Sequence, residues 1–318
     1  MPPGAEIAFH SDPGGADDTY LMRADGTNAH GLTVGRETIA QPYWSPDGSR
    51  LALLCCTSWM DMILVVNADG SGLREVGNGV AGASSPAWAP DGRTLAFESV
   101  AEGAIYVVDV DAPGAPSPRK LVDGSGPTWS PDGASIAFFR EQNGNLDVWR
   151  ADVAGGAETR LTTSPGPDYS PAWSPDGHRI AFLSERGGDA DVWTMDADGA
   201  HQLDVSQDAD PDEAVAWSPD GSRLAYVAYQ GGADPHTIGQ GDAEVYVVAP
   251  HRSGKRDVTR SPAWEGDPAW SPDGSLLAFT RRTDHAEIFT IRPNGTGERF
   301  LRGTEGTAND CCAAWRPG

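Results

Sequence analysis

One short pattern recurs through the whole chain and constrains its fold more than any other feature. The pattern is Trp-x-Pro-Asp-Gly, and six complete copies begin at Trp44, Trp88, Trp129, Trp173, Trp217 and Trp270. A shortened seventh copy begins at Trp315 and ends the chain. Successive tryptophans lie 44, 41, 44, 44, 53 and 45 residues apart. Self-similarity at a period of this length is typical of proteins built from copies of one small unit.

Each period contains four segments of strand length, bounded by Gly, Pro and Asp. The Trp segment is followed by an apolar run such as 180–182, then by a β-branched and aromatic run such as 191–195, then by a short segment such as 159–162. Residues of these types favour strands, and no stretch of the sequence shows a sustained helical period. The Pro-Asp-Gly piece predicts a tight turn, because Pro fixes φ near −65° and Gly tolerates φ above zero.

Seven such units predict an all-β fold, a seven-bladed β-propeller with four antiparallel strands per blade. We expect a single domain that covers residues 1–318. The chain starts on a second strand (7–9) and ends on a first strand (313–315). The C-terminal strand is therefore expected to complete the first blade and close the ring, which would remove free sheet edges.

Acidic residues outnumber basic ones, 46 to 23, so the formal net charge is −23. Such a chain repels nucleic acid and anionic membrane surfaces, and we expect no nucleic-acid partner. Membrane insertion is also not expected, because no apolar run approaches the roughly 20 residues that span a bilayer. Residues 1–4 carry neither the basic nor the apolar region of a signal peptide.

Twelve acidic side chains belong to the repeat itself and are expected to accept hydrogen bonds from turn and strand-end backbone groups. The turn residues are Asp47, Asp91, Asp132, Asp176, Asp220 and Asp273, and those at the start of the third strand are Asp18, Asp61, Asp147, Asp191, Glu244 and Glu287.

The repeat Pro-Ala-Trp-Ser-Pro-Asp-Gly-x-x-Ile-Ala-Phe, intact around Trp173, resembles that of the TolB-type, WD-repeat-like propellers. The resemblance covers nearly the whole chain. It implies a recognition role in the cell envelope, and together with the cysteine pairs it favours an extracytoplasmic location, in the envelope or secreted.

The loops on one face of the predicted propeller vary, and binding is usually carried by variable loops on a rigid scaffold. The links into the later Trp strands on that face carry Asp168, Asp212, Glu213, Glu265, Asp267 and Asp310. These carboxylates predict an acidic rim at the channel mouth that attracts a basic segment or a divalent cation such as calcium. The alternative is a hydrated rim with no ligand.

Aromatic residues outside the repeat positions are also candidates for ligand binding. They are Trp59, Tyr169, Tyr229 and Trp264. On an exposed rim they would stack on a sugar or hold a peptide, whereas the alternative is packing under their own loops.

The four cysteines form two vicinal pairs, Cys55-Cys56 and Cys311-Cys312, which the predicted fold places on neighbouring blades. We expect a disulfide between the pairs, because a bond between adjacent cysteines is strained. One alternative is inert buried thiols. Another is a zinc or copper site built from these four cysteines with His10 and His285, since thiolate and imidazole suit those metals. His236 also maps to the variable face.

The sequence favours a non-catalytic, monomeric scaffold that binds a peptide, protein or glycan on the variable face or in the channel mouth. The alternative is a metal-dependent enzyme of the propeller lyase type, which the repeat also resembles. Such an enzyme needs basic groups against its anionic substrate, and the acidic rim opposes one.

Overall fold

The computed structural model describes residues 5–13, 17–33, 39–57, 60–114, 116–207, 210–230, 243–301 and 308–318. Within these ranges the side chains of residues 39–40, 56–57 and 60–61 are not described. The described residues form strands and turns without any helix. Accordingly, the described part of the chain contains no helix long and apolar enough to span a membrane.

The strands fall into seven groups of four. Group 1 contains β1 (Glu6–Ser11), β2 (Asp18–Arg23), β3 (His30–Gly31) and the C-terminal strand β28 (Cys311–Trp315). Group 2 contains β4 (Ile39–Trp44), β5 (Arg50–Thr57), β6 (Met60–Asn67) and β7 (Arg74–Glu75). Group 3 contains β8 (Ala83–Trp88), β9 (Thr94–Ser99), β10 (Ala104–Asp109) and β11 (Arg119–Asp123). Group 4 contains β12 (Ser125–Trp129), β13 (Ser135–Gln142), β14 (Asn145–Asp152) and β15 (Glu158–Arg160). Group 5 contains β16 (Asp168–Trp173), β17 (Arg179–Ser184), β18 (Asp191–Asp196) and β19 (Leu203–Asp204). Group 6 contains β20 (Asp212–Trp217), β21 (Leu224–Tyr229), β22 (Ala243–Val248) and β23 (Arg256–Asp257). Group 7 contains β24 (Trp264–Trp270), β25 (Leu277–Arg282), β26 (Ala286–Ile291) and β27 (Arg299–Leu301).

Within every group the strands pair antiparallel, with the Trp-ending strand first in order. The predicted all-β fold of four-stranded antiparallel sheets is confirmed. In group 1 the first position belongs to β28, which pairs with β1 so that Trp315 lies opposite Ile7. Groups 6 and 7 also share one parallel pairing, Ala243 with Trp264, and so form one eight-stranded sheet.

The Pro-Asp-Gly turns join the first and second strands, as the sequence predicts. In group 2, Gly48 adopts φ +64°. Its N–H donates to the Ser45 carbonyl at 2.8 Å. The Asp47 carboxylate accepts from the Ser45 hydroxyl at 2.6 Å and from the Ser49 N–H at 3.0 Å. The predicted capping role of these turn aspartates is therefore visible in the geometry.

The core is divided among the contacts between neighbouring groups. Second-strand residues are buried on both faces of their sheet, and Phe9, Phe97, Phe138, Phe182 and Phe279 are fully buried. Burying each such side chain contributes about 2–3 kcal/mol. Seven hydrophobic clusters each combine residues of two adjacent groups, including one that joins group 7 to group 1. No group can therefore bury its apolar faces alone.

Candidate functional site

Each first strand contains a β-bulge shortly before its tryptophan, because the pairing register with the second strand shifts there in all seven groups. In six groups the residue three positions before the tryptophan adopts φ between +50° and +59°, and these residues are Ser85, Gly126, Ser170, Ala214, Asp267 and Cys312. Positive φ is uncommon outside glycine. Bulges of this kind re-aim side chains and are over-represented next to binding sites.

A cavity of about 620 Å³ lies where the first strands meet, and residues from all seven groups line it. The bulge residues Ser85, Gly126, Ser170, Ala214 and Asp267 are part of its wall, as is Gln41 at the matching place in group 2. This volume is in the range of small-molecule and peptide-side-chain pockets. The repeat thus builds a pocket whose lining can differ from group to group.

The sequence requires glycine at one point of the wall. Gly126 combines φ +59° with close packing, because a Cβ on this residue would lie 2.5 Å from Cε1 of Phe139. Its N–H donates to Glu98 Oε2 at 2.7 Å, and the Ser85 hydroxyl donates to Glu98 Oε1 at 3.1 Å. Two neighbouring bulges therefore hold the Glu98 carboxylate in a fixed position in the wall.

Asp267 is the second carboxylate of the wall. Burial raises the pKa of Asp267, although a hydrogen bond from Thr280 and the charge of Arg282 oppose that rise. The Cys312 thiol donates to Asp267 Oδ2 at 3.9 Å. Tyr43 also lines the cavity, and its pKa is raised to about 12 by burial first and then by the charges of Cys312, Asp267 and Glu98. Tyr43, Glu98 and Asp267 therefore all line the same cavity.

Most carboxylates predicted for the rim are buried instead, namely Asp168, Asp212, Glu265 and Asp310. Asp168 pairs with Arg186 at 2.9 Å, and Glu265 pairs with Arg281 at 2.5 Å. Burial raises the pKa of Asp212 to about 8. The picture of an exposed acidic rim is therefore corrected for these four residues, because the links fold inward between the groups. Asp267 alone among the predicted carboxylates lines the cavity.

The predicted aromatic residues pack rather than project. Tyr229 is buried and donates to Glu213 Oε2 at 2.9 Å, and Trp264 is buried beneath the Arg282 guanidinium at 5.3 Å. Tyr169 is half-buried, with its ring centroid 6.4 Å from that of Phe139. Trp59 lies outside the described residues, so its predicted role is untested.

Among the described cysteine side chains, Cys55, Cys311 and Cys312, no disulfide joins two of them. The Cys56 side chain and His236 lie outside the part of the chain that the structure describes. The described residues also contain no group of three or more His, Cys, Asp or Glu arranged to hold a metal ion. Cys311 does contact His10, with Sγ and Nδ1 3.6 Å apart. His285 is half-buried.

Several wall residues were missed from the sequence, notably Tyr43, Glu98 and Phe139. Glu98 and Phe139 lie on second strands and reach the cavity only because a small residue occupies the adjacent bulge. The position three residues before each tryptophan was a usable signal, since five of the seven such residues precede a proline.

Comparison with known proteins agrees with this architecture. A family model described as the TolB beta propeller domain matches residues 119–234 and 192–318, which together cover more than half of the chain. No curated protein matches the sequence.

Solved structures of similar fold include two TolB proteins. TolB from Acinetobacter baumannii is 18% identical with a TM-score of 0.63, over 98% of this chain and 82% of that one. A putative TolB from Agrobacterium tumefaciens is 22% identical with a TM-score of 0.62, over 93% of this chain and 99% of that one. An oligogalacturonate lyase in complex with manganese is 18% identical with a TM-score of 0.68, over 94% and 85% of the two chains. At these identities the structures establish the fold, and with the family match they show that the chain belongs to the TolB β-propeller domain family.

Proposed function

We propose that the seven groups are the blades of one closed, seven-bladed ring, and that residues 1–318 form a single domain. Pairing of β28 with β1 supports closure, as does the hydrophobic cluster that joins group 7 to group 1. The tryptophan Nε1–H groups give further support. Trp88 donates to the Tyr43 carbonyl of the preceding group at 3.0 Å, Trp315 donates to Ala269 at 3.1 Å, and Trp44 donates to Ala314 at 3.0 Å.

Within that ring, the protein acts as a recognition scaffold that binds a segment of a protein or peptide, or a glycan, in the mouth of the central cavity. The observation that carries this proposal is the wall itself. Seven bulges aim residues of seven different first strands into one space of about 620 Å³. Strained backbone positions persist where surrounding structure holds them, and they cluster at ligand sites.

The charge of the wall favours a cationic ligand group. Glu98 and Asp267 line the cavity, and no Lys, Arg or His is present among the described residues that line it. An ammonium or guanidinium group would be attracted by Glu98, whose position is fixed by two hydrogen bonds. The net charge of −23 adds a long-range attraction for basic partners and disfavours nucleic acid.

An extracytoplasmic location, a monomeric state and the absence of membrane insertion complete the proposal. The TolB family match and the envelope role that the resemblance implies support the location.

The lyase alternative is supported by the fold of an oligogalacturonate lyase solved with manganese. No described side chains of this chain favour that chemistry over binding. The half-buried Tyr169 and Glu213 belong to the proposed ligand-facing loops, whereas Asp212, Tyr229 and Trp264 are buried and do not.

Calorimetric titration with a short Arg- and Lys-rich peptide tests whether the central cavity binds a cationic segment. An acidic peptide of equal length is the comparison probe. The Glu98→Gln/Asp267→Asn double variant should weaken binding of the basic peptide at least about tenfold, because two anionic partners are lost. A second variant, Ala172→Trp, should block the cavity without changing charge. The matched control is Asp69→Asn/Asp198→Asn on exposed turns. Failure of the basic peptide to bind, or equal binding by all three variants, would contradict the proposal.

A further inference from the structure

In group 1 a thiol contacts an imidazole, and the imidazole in turn contacts a carboxylate. Cys311 on β28 is opposite His10 on β1 in the strand ladder, and their Sγ and Nδ1 atoms are 3.6 Å apart. The other ring nitrogen, His10 Nε2, is 3.0 Å from Asp17 Oδ1. A nucleophile beside a base that is in turn oriented by a third group is the arrangement of an activated nucleophile.

A second thiol, that of Cys312, follows Cys311 directly in the sequence. The neighbouring Cys312 thiol and then the hydrogen bond from His10 lower the pKa of Cys311 to about 6, although burial opposes the shift. The pKa of Cys312 is raised, first by its interaction with Cys311 and then by burial. Burial disfavours the charged form of His10, but its contacts with Cys311 and Asp17 outweigh burial and raise its pKa.

The surroundings limit what can reach the sulfur. Cys311 and His10 are both half-buried rather than fully enclosed, which leaves part of the pair open to a small molecule. The Asp17 carboxylate contacts His10, Asp267 contacts the neighbouring Cys312, and the formal net charge of the chain is −23. Anionic reagents are therefore repelled.

We propose that Cys311 is a reactive thiolate that is oxidised by small, neutral hydroperoxides, with His10 as the proton donor and Asp17 as the positioning residue. This inference is independent of ligand binding in the cavity. It assigns a chemical role to the pair Cys311 and His10 that neither the family match nor the fold supplies.

The reaction balances with the groups that are present. The Cys311 sulfur electron pair attacks one oxygen of H₂O₂, an S–O bond forms and the O–O bond breaks. Sulfur is oxidised by two electrons and the peroxide is reduced. The leaving hydroxide takes a proton from the His10 imidazolium and departs as water, and the product is a sulfenic acid. A disulfide reagent would not need this proton, because its leaving thiolate is a much weaker base.

The test traps the sulfenic acid with dimedone during treatment with H₂O₂ and locates the adduct by peptide mass spectrometry. The Cys312→Ser protein is the reference, because Cys312 can condense with a sulfenic acid at Cys311 and serine cannot, while serine keeps a hydroxyl donor. We expect an adduct on Cys311 of that protein. Adding His10→Gln should slow its formation roughly tenfold, since the thiolate loses its partner. Adding His285→Gln, a change of another half-buried histidine, should leave the rate nearly unchanged.

A spectroscopic readout separates positioning from simple loss of fold. The ultraviolet absorbance of the thiolate should fall in Asp17→Asn at neutral pH, while circular dichroism stays native. Two results would overturn the proposal. One is adduct formation on Cys311 that is no faster than on Cys55 of the same protein. The other is a rate and a thiolate absorbance that neither His10→Gln nor Asp17→Asn changes in folded protein.

Discussion

The Asp212 carboxyl lies between groups 5 and 6, where its Oδ2 accepts a hydrogen bond from the Val192 N–H at 3.1 Å. Its Oδ1 is buried without a hydrogen-bond partner among the described residues. Burial raises the pKa of Asp212 to about 8, and the charges of Asp191 and Asp204 add to the rise. At neutral pH the side chain is therefore largely protonated in the folded protein and ionised in the unfolded chain.

This difference predicts a pH-dependent stability. Because the folded pKa is above the ordinary value near 3.8, the folded state holds the proton more tightly, and stability falls as pH rises from about 4 to about 8. The side chain of the Asp212→Asn variant cannot ionise. Between pH 5 and pH 7 the free energy of unfolding should therefore decrease by on the order of 2 kcal/mol less in this variant than in the native protein. Urea unfolding at the two pH values measures this difference. The adjacent Glu213→Gln is the control, and an unchanged slope in Asp212→Asn would contradict the assignment.

At the scale of the element, the hairpin turn between first and second strands is the most regular feature. In group 6, Ser218 donates to Asp220 Oδ1 at 2.7 Å and accepts from the Arg223 N–H at 2.9 Å. Group 3 has Ala89 at the serine position, and there Thr94 donates its N–H and hydroxyl to Asp91 instead, each at 2.8 Å. The same turn is thus closed by two different hydrogen-bond sets.

We predict that Ser218→Ala destabilises the protein by about 1 kcal/mol, because the Arg223 N–H loses the acceptor that the buried Ser218 hydroxyl provides. The matched control is Ala89→Ser, which adds the hydroxyl where Thr94 already satisfies Asp91 and should change stability by less than about 0.5 kcal/mol. Urea denaturation of both variants measures the difference. Equal effects in both would mean that the serine hydroxyl is not what holds the turn.

These elements were predictable from the sequence because each is set by local chemistry. All seven repeat tryptophans end a strand, and each Pro-Asp-Gly closes a turn. The site was less predictable. The contact of Cys311 with His10 joins residues 301 positions apart, and the burial of Asp168 with Arg186 depends on how two links fold inward. Periodicity indicates which residues form strands, but not which side chains a bulge turns into the cavity.

At the scale of the whole molecule, groups 1 and 2 are tied together by residues from both ends of the chain. Arg316 Nε donates to the Gly48 carbonyl at 2.8 Å, and the Arg316 guanidinium pairs with Glu6. The same guanidinium lies over the Trp44 ring at 5.4 Å. Because hydrophobic clusters join each group to its two neighbours, we expect the groups to share their stability.

That dependence predicts a large effect of a small deletion. Removing residues 313–318 exposes the inner edge of β1 and removes Trp315, which is 6% exposed and packs in the cluster that joins group 7 to group 1. Loss of that aromatic side chain alone should cost about 3–5 kcal/mol, and Trp315→Ala isolates this part of the effect. Calorimetric melting should show a large decrease in Tm for the deletion and a smaller one for Trp315→Ala. Removing only residues 317–318 keeps Arg316 and serves as the control. If the 313–318 deletion melts within about 2 °C of the native protein, the strand does not close the ring.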